Sequence, residues 1–216
     1  MKKDILKFFD KSIFITKESF RVISTDSEET ITKNIYRWVK TGDLIRLKNN
    51  LYISADTYIS YKDDDGLRNL IANKLRSPSY LSLEYVLAMY DILTEMTYPI
   101  TSVTLKSSRQ YKNKIGIYTY KSIKNSLFLG YRIESFLSNN YYIATKEKAL
   151  FDYLYFKKNT LPKNLEGLNI TEELRLNLDS FTKLELRNLE KFAKISKDKK
   201  TIKIIKNIIT NASNNI

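Results

Sequence analysis

Between Thr30 and Ile53 the spacing of apolar residues changes from helical to extended. Ile31, Ile35, Trp38 and Val39 recur at the three-to-four spacing of one helical stripe, and Gly42 follows where a left-handed C-cap belongs. Thr30 is a candidate N-cap, with Asp26 and Ser27 offering an earlier start. Past Gly42, Leu44, Leu47 and the pair Leu51, Ile53 mark two short strands. Asn49-Asn50 lies between them, and asparagine tolerates the positive φ of a tight turn. Upstream, the spacing predicts a helix over residues 2–10, with Ile5, Leu6, Phe8 and Phe9 on one side. A second helix follows N-cap Thr16, with Phe20, Val22 and Ile23 apolar. Three short helices running into a two-stranded ribbon form the outline of a winged helix-turn-helix.

Residues 56–66 (DTYISYKDDDG) hold the acidic run and read as a solvated linker. Asp63, Asp64 and Asp65 lack the interleaved spacing of a calcium loop, so no metal is expected there. The boundaries that follow are 1–60 for the winged helix-turn-helix and 67–216 for a second domain. That second part predicts a helix over 67–75, a Pro-containing turn, and a helix striped by Leu83, Val86, Leu87 and Tyr90, with Ser82 placed to cap it. Alternating stretches at 100–106, 116–123, 128–136 and 141–145 predict strands. Thr145-Lys146-Glu147-Lys148 opens a helix that is apolar at Ala149, Leu150, Tyr153 and Leu154. Helices are then expected over 170–178 and 180–196, the latter with Leu184, Leu186, Leu189, Phe192 and Ile195 as its apolar face. The Lys/Ile tail past Lys197 is expected to pack on the core. The fold class is α+β, a winged helix-turn-helix followed by a mixed α+β domain with a helical C-terminal end.

Composition narrows the classes. Apolar residues make up 43% and charged residues 28% of the chain, a globular balance. No run approaches the roughly eighteen apolar residues of a membrane span. The N-terminus, charged throughout, does not read as a secretory signal. Cysteine is absent, which fits a reducing cytoplasm, and histidine is absent too, which removes the commonest general base and metal ligand. The net charge is +13, and it divides unevenly. Residues 1–66 hold 12 Lys+Arg against 11 Asp+Glu, whereas residues 67–216 hold 25 against 13, a balance of +12.

Chemistry points to binding rather than catalysis. The polar face of the Thr30 helix carries Thr32, Lys33, Tyr36, Arg37 and Lys40, and the ribbon adds Arg46 and Lys48 against Asp43. Cations neutralise phosphate or reach guanine edges, while Thr and Tyr donate to phosphate or pack on thymine methyls. These seven residues are the expected contacts to double-stranded DNA. No phosphate-binding loop, nucleophile elbow or metal-ligand pair is present, and no cofactor or catalytic residue is expected. A carboxylate-metal nuclease drawing on Glu84, Glu134, Glu147 and Asp152 remains an alternative, as does a module that binds a protein partner directly.

Four segments in this order, YRWVKTGDLIRLKNNLYI (36–53), SPSYLSLEYVLAMYDIL (77–93), ITSVTLK (100–106) and IATKEKALFDYLY (143–155), resemble the AbiEi-type antitoxins of bacterial abortive-infection, type IV toxin–antitoxin systems. The resemblance covers roughly residues 10–160, and SPSYLSLEYVL and IATKEKALFD are its most specific pieces. It implies a two-domain transcriptional autorepressor that binds inverted repeats in its own promoter. It also implies that the second domain counters a cognate nucleotidyltransferase-like toxin without a stable complex. Matching positions make Lys33, Tyr36, Arg37 and Lys40 the helix contacts, and Arg46 and Lys48 the wing contacts. Asn49-Asn50 departs from the glycine that members often carry at the wing turn, and the tail past Lys197 has no counterpart.

Overall fold

Thr16 and Ser19 each accept a hydrogen bond from the other's backbone amide, and this capping box starts the first helix, α1 (Lys17–Ile23). The computed structural model describes Leu6, Phe8, Phe9, residues 12–94 and residues 99–213. The helix expected over 2–10 therefore lies largely outside the described residues. The second helix, α2 (Glu28–Thr41), takes the earlier of its possible caps. The Ser27 hydroxyl accepts from the Thr30 amide at 3.3 Å, and Glu28 and Glu29 fall in the first turn, where carboxylates suit the helix dipole. Gly42 ends α2 at φ 85°, a left-handed conformation that costs an L side chain about 1–2 kcal/mol.

From Gly42 the chain enters an antiparallel hairpin, β1 (Leu44–Lys48) and β2 (Leu51–Ser54), with a register shift between Arg46 and Lys48. Asn50 takes φ 57° in the turn. Its side chain does more than permit that angle. Its carbonyl accepts from the Lys17 amide at 2.7 Å, and its amide donates to both Glu18 oxygens at 3.1 and 2.9 Å. The turn is thus clamped to the start of α1. Ile15 bridges Tyr52 through backbone bonds in both directions, lending the ribbon a third, one-residue edge. Phe9, Phe20, Trp38, Ile31, Ile35 and Leu44 fill the small core between these elements, with the Phe20 and Trp38 rings stacked at 5.4 Å. Val22, expected on the apolar face of α1, is instead 85% exposed, so Phe20 alone anchors that helix.

The stretch expected as a solvated linker is mostly helical. Ser54 caps α3 (Ala55–Tyr61) by accepting from the Thr57 amide, and Asp64 caps α4 (Asp65–Leu75) by accepting from the Gly66 amide. Polar residues that resemble a linker are here the caps of two helices.

A six-stranded sheet follows, built from β3 (Ser79–Leu81), β4 (Ile100–Thr104), β5 (Arg109–Lys112), β6 (Ile117–Ser122), β7 (Tyr131–Phe136) and β8 (Asn139–Ala144). Its order is β5-β6-β4-β3-β8-β7, with β4–β6 and β3–β8 parallel and the other pairs antiparallel. Two of these strands carry no legible pattern. All three residues of β3 are buried, so nothing alternates, and β5 is a polar edge. The helices are α5 (Leu83–Met89), α6 (Lys146–Lys157), α7 (Ile170–Glu173), α8 (Lys183–Ser196) and α9 (Lys199–Ser213). The mixed α+β class holds. Ser82 occupies the N-cap position of α5 but makes no capping bond, because its hydroxyl serves another partner.

Eight consecutive residues of α6, Glu147 to Leu154, are buried, as expected of a helix enclosed on every side. It packs between α5 and α8, with α9 beside it. The tail helix α9 places Ile204, Ile205, Ile208 and Ala212 in the main core, as expected of it. By contrast Leu184 and Ile195 of α8, expected on the apolar face, are 64% and 41% exposed. The helix expected over 170–178 stops at Glu173, and Leu176 bridges Leu93 instead. No described helix is long and apolar enough to cross a membrane.

The hairpin is buried on both faces. Leu44 and Tyr52 belong to the small core under α1 and α2, whereas Ile45, Leu47, Leu51 and Ile53 belong to the large core with Leu67, Leu70 and Ile71 of α4. One two-stranded layer therefore serves two cores.

Candidate nucleic-acid interface

The buried stripe of α2 (Ile31, Asn34, Ile35, Trp38) determines which residues face solvent. Thr32, Lys33, Tyr36, Arg37 and Lys40 are all exposed, Tyr36 at 70%. The Thr32 hydroxyl donates to the Glu28 carbonyl at 2.7 Å, a back-bond within the helix. Arg37 donates through Nη2 to Asn34 Oδ1 at 2.9 Å, which orients the guanidinium along the helix. Asn34 is the polar residue in an otherwise apolar stripe, and its position three before Arg37 was the signal for that pairing. Lys33 pairs with Glu29 at 2.6 Å, but both side chains are about three-quarters exposed (75% and 77%). Such a pair contributes about 0.3–0.5 kcal/mol, so phosphate can displace the carboxylate at small cost. Lys40 forms no ion pair among the described residues.

The acidic start of α2 is neutralised from α1. Glu28 accepts from Arg21 and pairs with Lys17 at 2.6 Å, and these contacts hold its carboxyl at about 2. Polyanion approaching the outer face of α2 therefore meets Glu28 already matched.

The two cations of the ribbon diverge. Arg46 is exposed, shares its face of the ribbon with Leu44 and Tyr52, and donates to Asn49 Oδ1 at 3.2 Å. Lys48 turns the other way. Its ammonium donates to the carbonyls of Leu75 at 2.8 Å and Lys74 at 3.4 Å, capping the C-terminus of α4. The register shift between Arg46 and Lys48 separates the two side chains, and the sequence, which places them two residues apart, gives no sign of it. The structure thus gathers Thr32, Lys33, Tyr36, Arg37 and Lys40 on one helix face and leaves Arg46 on the adjoining ribbon, while Lys48 is engaged in holding the ribbon to α4.

The carboxylates of the alternative nuclease reading are not brought together. Asp152 is fully buried, Glu147 accepts from Asn188 on α8 at 3.3 Å, and Glu134 pairs with Arg132 on β7 at 2.8 Å. Glu84 lines a cleft of about 310 Å³ with Tyr153, Lys157, Glu173 and Arg175. Among the described residues no group of three acidic side chains is placed to hold a metal ion. Asp152 instead forms the polar centre of the second core. It pairs with Lys148 and accepts from Ser82 Oγ at 2.8 Å and from the Tyr80 hydroxyl at 3.0 Å. Burial pushes the Asp152 carboxyl up and the Lys148 ammonium down, and the donors around the carboxylate offset part of that cost. The rings of Tyr80, Phe151 and Phe192 surround the ammonium at 4.9–5.7 Å.

No protein-family model matches the chain, and comparison with curated proteins finds no match either.

Proposed function

We propose that this chain is a DNA-binding transcriptional autorepressor whose N-terminal unit is a winged helix-turn-helix, with α2 as the reading helix. The observation that carries the proposal is the outer face of α2. A threonine, an exposed tyrosine and three cations share it, and Gly42 then turns the chain directly into a ribbon carrying Arg46. The bridge from Ile15 to Tyr52 supports the same layout, since it joins the segment before α1 to the hairpin after α2. The role of antitoxin against a nucleotidyltransferase-like toxin rests on the AbiEi-type resemblance, and the second domain is its proposed seat.

The test is a salt-titrated gel shift of the full chain on the DNA upstream of its own gene, against a scrambled duplex of equal length. Preference for the upstream duplex is expected, with affinity falling steeply as salt rises. Tyr36→Ala with Lys40→Ala should reduce that preference by about tenfold or more, the 1–3 kcal/mol scale of lost base contacts. Equal binding to both duplexes by the unaltered protein would overturn the reading. Growth of cells expressing the toxin encoded beside it should be restored by this chain, and failure there would remove the antitoxin role.

A further inference from the structure

The two edges of the six-stranded sheet are built differently. β5, at one end, is four residues long and carries Arg109 and Lys112 exposed, so a second copy of it would meet like charge. β7, at the other end, runs for six residues without lysine, proline or a register shift against β8. Short strands, unmatched cations, prolines and bulges are what keep an edge from pairing with another strand. The cation on β7, Arg132, is matched by Glu134 on the same strand at 2.8 Å.

The turn decides which backbone groups of β7 are free. Leu137 and Ser138 form a two-residue turn at φ 46° and 61°, which makes Phe136 and Asn139 the first bonded pair of the hairpin. Bonded and non-bonded pairs then alternate, so the backbone groups of Arg132, Glu134 and Phe136 point to β8. Those of Tyr131, Ile133 and Ser135 point away from the sheet. Among the described residues, none of these three forms a backbone bond outside the strand ladder.

The side chains select a partner for that edge. Ile133 is 60% exposed and lies directly across the hairpin from Tyr142, 41% exposed, which leaves an apolar strip beside the free edge. Arg132 and Glu134 flank Ile133 on the opposite face, one on each side of it. When a second β7 is laid antiparallel with Ile133 opposite Ile133, Arg132 of each copy falls opposite Glu134 of the other. The same alignment sets Tyr131 opposite Ser135, so the outward backbone groups of both strands meet. Sliding to the next bonded register either way puts Glu134 opposite Glu134, or Arg132 opposite Arg132, and like charges directly opposite destabilise a pair. Backbone and charge therefore agree on one register.

We infer that β7 is a pairing edge for a second copy of this chain, joining two sheets into one across a two-fold axis at Ile133. The contact is isologous, so each copy supplies the same strand and the same charges. The inference stands on the sheet alone and does not depend on the proposed repressor function.

The experiment is sedimentation velocity of the full chain over a dilution series from about 100 to about 1 μM, a range suited to an interface of modest area. The unaltered protein should sediment as a dimer at the top of the series and as a monomer at the bottom. Arg132→Glu sets carboxylates opposite one another twice by symmetry, and should weaken the dimer about tenfold or more. Arg132→Glu combined with Glu134→Arg restores the match and should bring the dimer back. Ile133→Lys leaves both charges untouched and should abolish the dimer by placing an ammonium at the axis. Lys183→Glu, on the exposed side of α8, should dimerise as the unaltered chain does. A monomer throughout the series overturns the inference. So does a dimer that survives both Arg132→Glu and Ile133→Lys, because another surface would then hold it. A charge swap that stays monomeric overturns the register, and the inference with it.

Discussion

Asn50 shows how much one side chain in a turn can do. Its positive φ was foreseeable from residue type, but its three hydrogen bonds to Lys17 and Glu18 were not, because they span more than thirty positions. Asn50→Gly keeps the backbone angle and removes the bonds, and should cost about 1 kcal/mol in urea unfolding. Asn50→Ala should cost about 1 kcal/mol more, from the left-handed strain. Equal losses for the two would mean that the clamp, not the angle, is all that matters. Asp152 offers a sharper case. Asp152→Ala leaves a buried ammonium and two hydroxyls without their acceptor, and should cost about 3–5 kcal/mol. Lys148→Met combined with Asp152→Leu should recover much of that loss, because no charge is then stranded. A single variant that unfolds at the unaltered urea midpoint would refute this account of the polar centre. The sequence offered Asp152 as a helix residue or a candidate nuclease carboxylate, and showed none of its partners. Its partners lie some seventy positions away, Tyr80 on a strand too short to leave a pattern and Ser82 just after it.

Helices proved more legible than strands, and for a physical reason. α2, α8 and α9 are amphipathic, so their periodicity records which face is buried. β3 is covered on both faces, and β5 is exposed except at Tyr111, so alternation vanishes in each. Solvent-facing α2 residues were legible for the same reason, because they are what the buried stripe leaves over. Lys48 was not, since its direction is set by a register shift. Caps also carry a pH signature. Asp198 accepts from the Thr201 amide at 2.8 Å at the start of α9 and pairs with Lys158 at 2.5 Å at the end of α6. Burial alone would raise its carboxyl, but Lys158 and Thr201 bring it down to about 2. A carboxyl held below its unfolded value stabilises fully above about pH 4 and loses that contribution as pH falls toward 2. Protection factors of the Thr201 and Ile202 amides, corrected for intrinsic exchange, should therefore fall over that window, and Asp198→Asn should abolish that fall. Protection factors flat from pH 5 to 2 would contradict it.

Across the whole molecule, charge and packing divide the chain at different places. The sequence puts nearly all excess positive charge after residue 66, yet the ribbon before that point is packed into the later core. The expectation of an acidic linker missed this because capping residues and linker residues are the same types. Ile45, Leu47, Leu51 and Ile53 are at most 8% exposed, and what covers them is α4 and the large core. Each such side chain laid bare forfeits about 1.5–3 kcal/mol of burial. The N-terminal unit is consequently not a cartridge. Grafted onto another body, or cut free at residue 60, it would carry a naked oily strip and should aggregate or melt. Under the proposed function, altered operator choice would have to come from side chains in place, because exchanging the unit would require exchanging its seat on α4 as well.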